Sequence, residues 1–113
     1  MAFRVELTRR AREDVTEIFE YLEARSPDAA ARWYLGLFAK LSTLENQPLR
    51  CARAPESDIV GREVRQLFYG RRPRDWFRAL FDIEGDDIRV LRIRRCTRAE
   101  LAGREVDAKD VDP

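Results

Sequence analysis

Two β-rich runs, Trp76–Ile83 and Ile88–Arg94, flank Glu84-Gly85-Asp86-Asp87, and a glycine inside so short an acidic link is a strong hairpin signal. If the turn is tight, Ile83 faces Ile88, Phe81 faces Val90 and Ala79 faces Arg92. Because side chains alternate along a strand, one face then carries Phe77, Ala79, Phe81, Ile83, Ile88 and Val90. The other carries Arg78, Leu80, Asp82, Arg89, Leu91, Ile93 and Arg95. The first face is apolar and wants a cover of helices. The second mixes arginine with apolar residues, whereas the open face of an antiparallel sheet is normally polar. That mixture suits a surface that binds something.

The helices are found upstream. Phe3, Val5 and Leu7 alternate with Arg4 and Glu6 as a short strand. Thr8 caps a helix near 9–24, whose stripe is Ala11, Val15, Ile18, Phe19 and Leu22. Ser26 and Pro27 are the N-cap and first residue of a second helix. Its stripe runs through Ala30, Trp33, Tyr34, Leu37, Phe38, Leu41 and Leu44 until Asn46-Gln47-Pro48 ends it. So short a link makes the helices an antiparallel hairpin. From Leu49 to Gly61 the chain has no periodicity, Glu63–Phe68 reads as a further strand, and Gly70-Arg71-Arg72-Pro73 reads as a basic turn. The expected fold is α+β: an N-terminal strand and a two-helix hairpin packed on a small antiparallel β-sheet. Residues 1–104 form one domain and 105–113 an acidic, disordered tail.

The 113 residues hold 22 Lys+Arg against 21 Asp+Glu, and 20 of the cations are arginine. The balance is uneven along the chain: net −1 over 1–49, +5 over 50–104 and −3 over 105–113. The basic half suits phosphate backbones or acidic partners, with Arg71, Arg72, Arg74 and Arg95 the expected nucleic-acid contacts. There is no histidine, so the usual neutral-pH base and commonest metal ligand are missing. Cys51 and Cys96 are too few for a zinc site and read as small buried thiols. No glycine loop for nucleotide phosphates is present. No metal, cofactor or membrane span is expected, and with no apolar leader the chain is expected in the cytoplasm.

The order of elements, with Ala11-Arg12-Glu13-Asp14-Val15, Ser26-Pro27-Asp28-Ala29-Ala30, Gly61-Arg62-Glu63-Val64-Arg65-Gln66-Leu67, Phe77-Arg78-Ala79-Leu80-Phe81 and Val90-Leu91-Arg92-Ile93-Arg94, resembles the RelE/ParE toxin superfamily of type II toxin–antitoxin systems. The resemblance covers roughly residues 3–98. It implies a small α+β toxin, with a role in plasmid stabilization, silenced by a cognate antitoxin that wraps it with a C-terminal helix or extended segment. RelE-like members cut mRNA in the ribosomal A site as endoribonucleases; ParE-like members inhibit DNA gyrase without enzymatic activity. The arginine-rich face favours the RelE-like mRNA interferase. The alternatives are the gyrase inhibitor and a degenerate module that only binds its antitoxin.

An RNA-cutting member must activate a 2′-hydroxyl, stabilise phosphorane charge and protonate the leaving oxygen. The resemblance implies Arg78 as the phosphate-binding sheet arginine and Arg98, or Arg95, as the arginine after the last strand. Arg65 is the third candidate cation. With arginine always protonated, the base would have to be Tyr69, Glu63, Asp75 or Asp82.

Overall fold

The computed structural model describes residues 2–70 and 76–96. The order is β1 (Arg4–Leu7), α1 (Arg9–Glu23), α2 (Pro27–Ser42), two 3₁₀ turns at Thr43–Glu45 and Pro48–Arg50, α3 (Ser57–Val60), β2 (Arg65–Tyr69), β3 (Phe77–Glu84) and β4 (Asp87–Arg95). Arg71, Arg72, Arg74, Arg98, Asp75 and the acidic tail lie outside the described residues. No helix among the described residues is long and apolar enough to cross a membrane.

Local chemistry sets the helix starts. Thr8 ends one element and opens the next: its N–H donates to Val90 O at 3.0 Å, while its hydroxyl accepts from Ala11 N at 3.2 Å and donates to Leu91 O at 3.1 Å. Ser26 accepts from Ala29 N at 3.2 Å, and Pro27 sits in the first turn of α2 where a missing N–H costs nothing. Gly85 has φ +62° and Asp86 does not share the positive sign, the pattern of a II′ hairpin turn with glycine at its first central position.

The sheet order is β1-β4-β3-β2. β2, β3 and β4 form the antiparallel meander, and β1 adds in parallel to β4, so the sheet is mixed. The helices bury Ala11, Val15, Trp33, Leu37 and Leu41 against Leu67, Ala79, Phe81, Ile88, Val90 and Ile93.

Near the turn the register is as expected, Ile83 opposite Ile88 and Phe81 opposite Val90. Beyond it the ladder shifts: Leu80 faces Arg92 and Ala79 faces Ile93, leaving Leu91 as an extra residue in β4. One extra residue reverses the alternation of everything after it. Ile93, expected on the open face, is therefore in the helix-side core, and Arg95 lies opposite Phe77 and lines the helix-side groove.

The second correction concerns the face away from the helices, which is not open. The segment Cys51–Val64 folds over it. Gln66 N donates to Ala52 O at 3.0 Å and Arg53 bridges Arg65, which ties the strap to β2, while Ala54 N donates to Val64 O at 2.6 Å within the strap. Ser57 hydroxyl both accepts from Val64 N and donates to Val64 O, each at 2.8 Å. Beneath it Ala54, Val64, Leu80 and Leu91 make a second small core. The mixed arginine and apolar face already has its cover, and the chain itself supplies it.

Candidate functional site

Arg78 is held under that strap at 2% exposure. Its two terminal nitrogens donate to the two oxygens of Glu56, which is 0% exposed, and one also donates to Gln66 Oε1 at 3.1 Å. A planar fork against a carboxylate is the geometry arginine is suited to. The guanidinium expected to meet an RNA phosphate is therefore occupied by an internal carboxylate and has no solvent path. A buried arginine with one carboxylate satisfies the rule that buried charges are paired. Glu56 was not visible in the sequence because it sits in the aperiodic connection.

Arg65 also serves the strap. It donates to Cys51 O at 2.5 Å and Leu49 O at 3.4 Å, and pairs with exposed Glu63. The Tyr69 hydroxyl donates to Trp33 O at 3.1 Å and sits where a Cβ on Gly36 would be. Asp82 accepts from Arg89 at 2.9 and 2.7 Å and faces Arg62 at 3.6 Å. That pairing raises the Arg89 pKa, and the hydrogen bond Arg89 donates to Asp82 is the main cause. So the structure does not bring Arg78, Arg65 and Arg95 together around a shared space. None of the candidate bases among the described residues faces a phosphate-ready arginine.

Asp14 is a residue whose role the sequence did not announce. β1 stops at Leu7, which leaves the rest of β4 without a neighbour on that side. Asp14 of α1 takes its place, accepting from Ile93 N at 3.0 Å and from Arg92 at 2.8 and 3.1 Å. A carboxylate thus stands in for strand carbonyls, and Arg92 is placed by an ion pair with side chains 6% and 10% exposed. Cys51 and Cys96 form no disulfide and both are buried, as expected. Burial raises the Cys51 thiol pKa against the opposing pull of Arg50, Arg65 and Lys40.

What stays open is a groove of about 740 Å³ between the helix hairpin and the sheet end formed by Tyr69, Phe77 and Arg95. Ile18, Leu22, Trp33 and Phe77 form its apolar floor. Arg25, Arg32 and Arg95 stand on its rim with Glu17 the lone acid. Arg25 lies over the Tyr21 ring at 4.5 Å.

A strand, a capped helix hairpin and an antiparallel meander are the architecture of the small α+β toxins of the RelE/ParE superfamily. A family model described as "ParE toxin of type II toxin-antitoxin system, parDE" matches residues 5–100, and the chain belongs to that family. A solved structure of a chromosomal ParDE toxin–antitoxin system from P. aeruginosa is similar at 28% identity and TM-score 0.67, over 85% of this chain and 98% of that one. The RelBE2 toxin–antitoxin complex from Mycobacterium tuberculosis shares the fold at 19% identity and TM-score 0.51, over 85% of this chain and 100% of that one. No curated protein matches.

Proposed function

We propose that this toxin is neutralised by an antitoxin and acts by binding DNA gyrase, not by cutting mRNA. One observation carries the reading: Arg78, the residue a nuclease would turn toward phosphate, is sealed by Glu56 at 2% exposure. Charge stabilisation of a phosphorane needs donors aimed at the reacting oxygen, and both terminal nitrogens of this buried guanidinium are aimed at Glu56 instead. The absence of histidine from the chain and the structural engagement of Tyr69 and Asp82 point the same way. An antitoxin partner is supported by the neighbours, both solved as toxin–antitoxin systems. Gyrase as target would place the protein in the cytoplasm. The test pairs two assays on purified toxin: supercoiling of relaxed plasmid by gyrase, and integrity of mRNA in a ribosome-containing translation extract. Supercoiling is expected to stop while mRNA stays intact. Cut mRNA with normal supercoiling would overturn the reading in favour of the interferase.

A further inference from the structure

The two helices of the hairpin differ in what they turn toward water. α1 puts Arg9, Arg12, Glu13, Glu17, Glu20 and Glu23 there, as a surface helix normally does. α2 has only Asp28, Arg32 and Lys40 as charged residues over its 16 positions. Its inner stripe of Ala30, Trp33, Leu37 and Leu41 is buried, yet its outer side is apolar again. Leu35 is 69% exposed and Tyr34 is 42% exposed, next to half-buried Phe38. Tyr34 stands edge-on to Phe19 of α1 at 5.8 Å and against Phe38 at 4.8 Å, so one apolar patch spans the hairpin. A helix that is apolar on both sides is normally covered on both. None of these four residues lines the groove, so the patch is a separate surface. On the α1 side exposed Glu23 follows Phe19 by four residues and Glu20 by three, which makes the two carboxylates a border of the patch. Neither has a cation partner among the described residues.

We infer that this patch docks the protein target of the toxin, and that it accepts an apolar side chain of that target flanked by lysine or arginine. The inference deepens the gyrase reading above and rests on it. Tyr34 offers the rigid ring with a polar tip that interfaces favour, and Leu35 is the apolar knob beside it. The acidic border then meets the cations of the partner and fixes its register. That border also argues against the other occupants. A nucleic acid would set its phosphates against Glu20 and Glu23. A second copy of the chain would put two identical acidic borders into one interface, and like charges across an interface are penalised. Because the patch lies apart from the groove, the target can be held while the groove stays empty.

The test titrates purified gyrase holoenzyme onto the full-length toxin and, in parallel, the protein encoded by the adjacent reading frame. Leu35→Glu, a good helix former at a position already in water, is expected to melt as the parent does. It is expected to bind gyrase about thirtyfold more weakly while binding the neighbouring protein as before. Glu20→Lys with Glu23→Lys is expected to slow association with gyrase about tenfold and to reverse its salt dependence. Leu49→Glu, equally exposed at 65% but on the second 3₁₀ turn, is expected to change neither affinity. If the parent binds gyrase and the patch variants bind it equally well, the patch inference is wrong and the gyrase reading stands. If the parent does not bind gyrase, that reading falls and takes the inference with it. Loss of the neighbouring protein alone would assign the patch to the antitoxin and overturn the inference. A parent dimer that Leu35→Glu splits into monomers would make the occupant a second copy and overturn it equally.

Discussion

Replacing Glu56 with Ala should destabilise the protein far more than loss of a surface carboxylate. The substitution removes both carboxylate contacts of Arg78 and leaves a guanidinium at 2% exposure facing Gln66 Oε1 at 3.1 Å. Breaking a buried pair by deleting one member costs about 3–5 kcal/mol, because the surviving charge keeps its desolvation penalty and loses its compensation. For a domain of this size each kcal/mol moves the melting temperature by about 4 °C, so a fall of roughly 12–20 °C is expected. The double variant Glu56→Leu with Arg78→Met removes both charges and should recover most of that loss, since well-packed apolar groups can replace a buried pair at little cost. Urea unfolding of the two single variants, the double variant and the parent gives the coupling directly. A cost below about 1 kcal/mol for Glu56→Ala would mean an exposed, screened pair and would refute the sealed geometry from which the non-nuclease reading is argued.

Asp14→Ala should cost about 2–4 kcal/mol, since it strips acceptors from Arg92 and from Ile93 N, and hydrogen exchange at the Ile93 amide should accelerate. Gly36→Ala should lower the melting temperature despite alanine's better helix propensity, because the new Cβ meets the Tyr69 hydroxyl; adding Tyr69→Phe should restore part of the loss. Burial raises the Cys51 pKa, so its thiol stays protonated at pH 8, and a thiol-disulfide reagent should label it slowly in the native protein and quickly in urea.

The legible part of the fold was its local part. Thr8 and Ser26 cap helices because a hydroxyl immediately before a helix can accept from the N–H three residues on, and Gly85 marks the turn because few other residues tolerate its φ. The place of Trp33 on the helix stripe marks it as core, and it packs there. The strap and the bulge were not legible, and both reshaped the site. Nothing in the spacing of Leu91 shows that it is supernumerary; only pairing with β3 reveals it, and it moved Ile93 and Arg95 to the other side. Glu56 lies among residues with no periodicity, so its burial on Arg78 depends on a contact across 22 positions. Arg78 stands out in the sequence by its strand and its resemblance, and strand alternation cannot say whether a face is covered.

The way this sheet ends on each side has a consequence for life without a partner. Open strand edges recruit other chains and seed aggregates. Here one outer strand, β1, has only four residues, two of them the charged Arg4 and Glu6. The other, β2, is engaged by the strap through Ala52 and Ala54, and the stretch of β4 left uncovered by β1 is met by Asp14 instead of by backbone. A long, bare ladder is not offered on either side among the described residues. A toxin released from its antitoxin must persist as a separate folded molecule long enough to find its target, and these blunted edges help keep it colloidally separate while it does so.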